Sequence, residues 1–291
     1  MSRLQHALRL LSIVCFAVCS GFSAAAEEAP KPEARSEIEK PDDAAKKPYV
    51  PVEGQAGRDA VWVPTPHVLV EKMLDLAKVT PKDFVMDLGS GDGRNIIAAA
   101  KRGVRGLGVE FNPDLVDFSR KLAEKEGVAD KAQFVQGDMY VADISKATVL
   151  ALFLLPENME KMKQKFLDLR PGSRIVINAF EIPEWSPDAT ERAEGDCGAW
   201  CTAHLYIVPA KVSGLWKLPN GELTLQQRYQ KVSGTLTVDG KRLPIGNAKL
   251  LGDQISFSAG GVTYFGRVRG DAMSGKTKGG AGGTWSATRG S

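Results

Sequence analysis

The feature that most constrains this chain is the run Val85-Met86-Asp87-Leu88-Gly89-Ser90-Gly91-Asp92-Gly93. Its first half is a short, largely apolar stretch, which predicts a buried strand over Phe84–Leu88. The glycines that follow let the backbone turn sharply and let a ligand approach it closely. An Ile- and Ala-rich helical stretch then runs from Asn95 to Arg102. Strand, glycine loop and helix in this order predict a wound α/β sheet with a ligand site at the carboxyl ends of its strands.

The flanking residues extend the pattern. Val70, Met73, Leu74 and Ala77 lie on one face of a helix predicted over Val68–Lys78. Further strands are predicted at Leu107–Glu110, Ala132–Gln136, Thr148–Leu155 and Arg174–Phe180, with helices at Pro113–Glu126 and Asn158–Leu169 between them. His204–Val208 reads as a late antiparallel strand. This rhythm gives a doubly wound, Rossmann-like α/β domain over 49–210. After Ala210 the texture changes to short alternating runs separated by Gly, Asn and Asp. A small C-terminal antiparallel β-sheet or barrel domain is therefore expected over 211–291. Within it, Gly275–Gly283 lacks large apolar residues and reads as a loop.

The glycine loop admits two ligand classes, and its acids separate them. A dinucleotide loop wants Gly or Ala at the sixth place, which is Arg94 when counted from Gly89. Asp87 and Asp92 in the loop would repel a pyrophosphate. S-adenosyl-L-methionine carries no phosphate, and its amino and sulfonium groups are cationic, so the acids suit it. Glu110 ends the second strand and can accept from both ribose hydroxyls. Gly137-Asp138-Met139 follows the third strand; Asp138 can accept from the adenine amine while Met139 packs on the ring. The expected cofactor site is therefore Thr65, Asp87, Gly89, Ser90, Gly91, Asp92, Gly93, Glu110, Asn112, Asp138, Met139 and Leu155, with no metal.

Asp87-Leu88-Gly89-Ser90-Gly91-Asp92-Gly93-Arg94, Glu110-Phe111-Asn112-Pro113 and Val63-Pro64-Thr65-Pro66 carry a specific resemblance. So do Phe153-Leu154-Leu155-Pro156, Leu169-Arg170-Pro171-Gly172-Ser173-Arg174, Trp185-Ser186-Pro187-Asp188 and His204-Leu205-Tyr206-Ile207-Val208-Pro209-Ala210. Over roughly Tyr49 to Trp216 the chain resembles class I S-adenosylmethionine-dependent methyltransferases. The group includes mitochondrial protein-lysine methyltransferases and bacterial proteins of unassigned substrate. The resemblance implies methyl transfer to a protein lysine or an envelope component. Phe153-Leu154-Leu155-Pro156-Glu157-Asn158 stands where the acceptor approaches in this fold, and it is not the Asn-Pro-Pro-aromatic motif of enzymes acting on planar nitrogens. Glu157 and Asn158 either orient the acceptor or cap the next helix. Thr65 either closes over the cofactor or turns the chain before Pro66. Trp62, Phe180 and Trp185 either line an acceptor channel or pack in the core. His67 and His204 read as structural.

Location and charge complete the reading. Arg3 and Arg9, the apolar run Leu10–Phe22 and Ala24-Ala25-Ala26 have the form of a signal peptide over 1–26. Export to the periplasm is expected, with a mitochondrial address as the alternative. Residues 27–48 are rich in Glu, Lys, Pro and Ala and read as a disordered linker. Cys197 and Cys201 remain after cleavage, as a disulfide, as free thiols or, with His204, as part of a metal site. The net charge of +3 does not call for nucleic acid. From Lys211 onward, 12 Lys and Arg face 4 Asp and Glu, which suits either an anionic surface or a solvated one. Export also admits a second function, a catalytically silent binding protein that works through its methyltransferase fold and basic β domain, because the cofactor is made in the cytosol.

Overall fold

A computed structural model describes residues 49–280 and 282–290. The expected signal peptide and linker lie outside the described residues.

The first sheet is built from β1 (Phe84–Leu88), β2 (Arg105–Glu110), β3 (Ala132–Gln136), β4 (Val149–Leu152), β5 (Arg174–Asn178), β6 (Ala189–Arg192) and β7 (Thr202–Ile207). Its order is β3-β2-β1-β4-β5-β7-β6. The first five strands pair in parallel, and β7 runs antiparallel to both β5 and β6. Chain order reverses between β1 and β4, which opens a crevice at the carboxyl ends of those strands.

Alternation along the strands feeds the two faces of the sheet. Val85, Val149, Ala151 and Val176 join one core, with buried residues of α1 (His67–Leu76), α2 (Arg94–Lys101) and α3 (Pro113–Lys125). Met86, Leu88, Leu150, Leu152, Ile175 and Ile177 join the other, with Met159, Met162 and Phe166 of α4 (Pro156–Leu167). The predicted helices and core strands are present, with ends shifted by a few residues. The exposed edge strand β6 is an addition; its burial pattern carries no core-facing alternation for sequence reading to detect.

The second sheet comprises β8 (Gly214–Leu218), β9 (Gly221–Arg228), β10 (Lys231–Val238), β11 (Lys241–Pro244), β12 (Gly246–Leu251), β13 (Gln254–Ala259), β14 (Val262–Arg269), β15 (Ala272–Lys278) and β16 (Gly283–Arg289). Its order is β11-β10-β9-β8-β16-β15-β14-β13-β12. The terminal strands β11 and β12 are separated by Ile245 alone, whose N–H donates to Gly234 O of β10 at 3.1 Å. The two ends of the sheet are thus one bent strand, and the sheet closes into a barrel. Trp216, Leu223, Leu236, Phe257, Met273 and Trp285 fill its interior.

The loop expected at Gly275–Gly283 is corrected by this barrel: through Lys278 the segment is β15, fully paired with β14 and β16. Gly275 sits opposite Gly266, and a Cβ on Gly266 would come within 2.6 Å of the Trp285 ring. Glycine in these strands makes room for an indole, so a composition that looks like a loop is a strand.

Candidate functional site

The carboxyl ends of the parallel strands open into a cavity of ≈ 540 Å³. Strand order divides its wall into two halves. Beneath β1, β2 and β3 the wall is acidic, with Asp87, Glu110 and Asp138. Beneath β4, β5 and the start of β7 it is aromatic, with Phe153, Phe180 and Trp200.

The loop after β1 is shaped by glycine. Its backbone hooks over β2, with Gly89 and Ser90 N–H both donating to Val109 O. Gly93 caps α2 at φ +82°, and a Cβ there would lie 2.5 Å from the Phe134 ring and 2.8 Å from Ser119 Cβ. A side chain at this position is excluded by both conformation and space. The Gly91 N–H donates to Glu110 Oε2 at 2.9 Å, and the Asn112 N–H donates to Glu110 Oε1 at 2.9 Å. Glu110 is thereby fixed at the cavity rim by backbone donors.

Asp87 is buried, and its Oδ2 accepts from Asn95 Nδ2 at 3.0 Å. Burial pushes its pKa well above the usual carboxylate range; the Asn95 hydrogen bond opposes this, and the charges of Glu110 and Asp92 add to it. Asp92 is held by Arg94, whose Nε approaches Oδ1 at 3.0 Å, while Arg94 Nη1 donates to Thr65 O at 2.6 Å. The two loop acids therefore differ: Asp92 is neutralised within the protein, and Asp87 is not.

Of the predicted cofactor residues, Thr65, Asp87, Gly89, Ser90, Asp92, Glu110, Asn112, Asp138, Met139 and Leu155 line the cavity. Gly91 and Gly93 shape the loop without lining it. The Ser90 hydroxyl faces Gly108, where a Cβ would meet it at 2.6 Å. Asn112 also caps α3, accepting from Asp114 N at 2.9 Å. Glu157 and Asn158 do not line the cavity. Glu157 is exposed in the first turn of α4, and Asn158 Nδ2 donates to the Tyr140 hydroxyl at 2.7 Å. Neither caps the helix through a side-chain hydrogen bond. Trp62 and Phe180 line the cavity, whereas Trp185 is core, stacked on Tyr229. His204 is structural, between Thr190 Oγ1 and Ala179 O.

Several cavity residues escaped sequence reading. Arg58 ion-pairs with Asp138 at 2.7 Å and lies 4.6 Å above the Phe111 ring. It belongs to an irregular segment, closed by a bridge between Ala56 and Val61, that borders the cavity through Trp62. Phe153 and Trp200 were also missed as site residues. The usable signal for Trp200 was its place between two cysteines. Cys197 and Cys201 are joined by a disulfide, with Cα atoms 5.1 Å apart.

The wall fits S-adenosyl-L-methionine chemically. An unneutralised buried carboxylate at Asp87 suits a cationic group, Glu110 retains lone pairs for hydroxyls, and Asp138 is an acceptor at the third strand end.

Comparison with known proteins assigns this geometry. A family model described as the ANTKMT methyltransferase domain matches residues 87–189. A protein-lysine N-methyltransferase of Saccharolobus islandicus is 41% identical over 150 residues, covering 50% of this chain and 92% of that protein. An ATP synthase lysine N-methyltransferase of Mus musculus is 34% identical over 174 residues, covering 60% of this chain and 68% of that one. A solved RNA methyltransferase of Salinibacter ruber, in complex with S-adenosyl-L-homocysteine, is 44% identical over 52% of this chain and 96% of its own, with a TM-score of 0.48. With this level of identity over nearly the whole archaeal relative, the chain belongs to the S-adenosylmethionine-dependent methyltransferase family that includes these protein-lysine N-methyltransferases.

Proposed function

We propose that this protein methylates the side-chain amine of a protein lysine, in an envelope protein. The observation that carries this reading is the 41% identity to a protein-lysine N-methyltransferase, 92% of which the chain covers. S-adenosyl-L-methionine, when bound, supplies a methyl group activated by its sulfonium. Asp87, Glu110 and Asp138 hold and orient that cofactor through its cationic and polar groups. The aromatic half of the wall receives the acceptor and keeps water away from it. Phe153, Leu154, Leu155, Phe180 and Trp200 there carry no titratable group. An amine entering this half sheds its proton through desolvation, since burial disfavours the charged form.

The proposed location is the periplasm. The Cys197–Cys201 disulfide supports an oxidising compartment, where such bonds persist. The basic excess after Lys211 supports contact of the barrel with an anionic surface. The silent binding-protein alternative gains nothing from the barrel, whose interior is filled by its own side chains.

The test is label transfer. Purified protein is incubated with methyl-labelled S-adenosylmethionine and an envelope protein fraction, and labelled peptides are sequenced by mass spectrometry. N6-methyllysine is the expected product. Label confined to RNA or lipid would overturn the lysine assignment. Failure to bind S-adenosylmethionine in calorimetry would leave the silent binding protein standing.

A further inference from the structure

The aromatic half of the cavity has a construction that its apolar character alone does not require. Phe153 follows β4, Phe180 follows β5, and Trp200 precedes β7 by one residue. Because β4, β5 and β7 are neighbours and β7 is antiparallel, all these residues meet at one edge of the sheet. The Phe153 and Phe180 rings are 6.1 Å apart, and Trp200 stands 5.2 Å from the first and 5.9 Å from the second. Each ring is only partly buried, and each lines the cavity. Core aromatics of this protein behave differently, as Trp185 and Trp216 are at most 1% exposed.

Trp200 is also held unusually firmly for a loop residue. Its N–H donates to Cys197 O at 2.8 Å, and the disulfide closes the same turn. Both cysteines are buried in the core under α1, so the turn is anchored from below. The segment lies beyond residue 189, where the family match ends.

We infer that Trp200, presented by the disulfide-closed turn, forms with Phe153 and Phe180 an aromatic wall that binds the acceptor nitrogen in its cationic form. This rests on the proposal that the acceptor is an amine. The chemistry places charge where the rings are. As the nitrogen lone pair forms its bond to the methyl carbon, the carbon–sulfur bond breaks, the sulfonium becomes a neutral thioether, and the positive charge passes to nitrogen. Aromatic faces attract such a charge, most strongly when it is desolvated. The neutral amine gains less from them, so the wall favours the transition state over the bound substrate. Acidic side chains would instead stabilise the protonated amine, which cannot react. The wall thus separates the two demands, carboxylates on the cofactor side and π faces on the acceptor side.

The test uses the full chain saturated with S-adenosyl-L-homocysteine. Two probes are titrated in NMR: Nα-acetyl-Nε-trimethyl-lysine amide and its neutral isostere with carbon in place of the quaternary nitrogen. The wild type is expected to bind the cation at least about fivefold more tightly than the isostere. Trp200→Ala should weaken cation binding about tenfold, with Trp200→Phe between the two. The pair Cys197→Ser and Cys201→Ser should weaken it in the same direction by freeing the ring. S-adenosyl-L-homocysteine affinity should stay unchanged in all variants, showing that the fold is intact. Equal binding of cation and isostere, or cation binding unaffected by Trp200→Ala, overturns the aromatic wall and leaves the amine reading in place. If the wild type binds neither probe, the amine reading falls and the wall falls with it.

Discussion

Asp87 carries opposite demands in the free and loaded protein. Without a ligand its buried carboxyl is pushed up by desolvation, against the Asn95 hydrogen bond, and further up by Glu110 and Asp92. The protonated form is therefore favoured. A cationic cofactor binds the carboxylate, so loading must expel that proton. Affinity for S-adenosylmethionine is expected to rise with pH through the raised Asp87 pKa. Asp87→Asn should bind at least about tenfold more weakly and lose this pH dependence. Calorimetry across pH, in buffers of different ionisation enthalpy, reads both effects; a flat wild-type profile with no proton release would refute the account. The same shift has a stability consequence of defined sign. A carboxyl whose folded pKa lies above its unfolded value, about 3.9, costs stability as pH rises through the interval between them. Cofactor-free Asp87→Asn should therefore melt higher than cofactor-free wild type at neutral pH, a gain obtained by giving up function.

At the scale of elements, two short connections do more than join their neighbours. The segment from Gly54 to Trp62 is tied to the cofactor side by Arg58, through its ion pair with Asp138 and its stacking on Phe111. Both contacts are partly exposed, together worth about 1 kcal/mol, a factor of about five. Arg58→Ala should thus speed cofactor release about fivefold in stopped-flow. An unchanged release rate would mean that the segment does not retain the ligand. At the opposite end of the sheet, Asp83 accepts from Thr80 N, Thr148 Oγ1 and the Arg174 guanidinium, joining the starts of β1, β4 and β5. Burial pushes its carboxyl up, but these hydrogen bonds and the Arg174 charge hold it below the ordinary value. Its contribution is present above the unfolded pKa of about 3.9 and is lost as pH falls through the folded one. Asp83→Asn should cost about 1–3 kcal/mol at pH 7 in urea unfolding, and the gap to wild type should close toward pH 3. Elements of this kind were the least legible from sequence. The strand and helix of the glycine loop carry their own periodicity, and the carboxylates at Asp87, Glu110 and Asp138 fall at predictable strand ends. Arg58 and Trp200 lie in stretches with no period, and their roles depend on partners 80 and 47 residues away, at Asp138 and Phe153. Glu157 and Asn158 sit beside the right motif, but the first turn of α4 points Asn158 at Tyr140 instead of the cavity.

Across the whole molecule, the barrel is joined to the methyltransferase sheet through its β9–β10 turn. Tyr229 in that turn has φ +54°, and its ring stacks on the buried Trp185 at 5.5 Å with planes 7° apart. Gln230 Nε2 donates to Ser186 O at 2.7 Å, Gln227 Nε2 to Ala210 O at 2.9 Å, and Lys163 lies 5.9 Å from the Tyr229 ring. A second contact brings Gly252 of the barrel against Gly172, so close that a Cβ on Gly252 would lie 2.9 Å from Gly172 Cα. The Leu169–Arg174 and Trp185–Asp188 motifs therefore serve two purposes: they end elements of the catalytic sheet and they seat the barrel. Trp185 also touches Tyr206 of β7, the strand that follows the Trp200 turn, so the seat lies one strand from the acceptor wall. With such packing, wild-type protein should unfold in one cooperative transition by urea, seen alike by far-UV dichroism and by tryptophan fluorescence. Tyr229→Ala removes a stacked ring and leaves Trp185 facing a void, at a cost of about 2–4 kcal/mol. The variant should show two separated transitions, sheet and barrel, because the lost contact belongs to neither core alone. A single transition merely shifted to lower urea would mean that the Gly172–Gly252 contact and the Ala210 connection are enough to couple them.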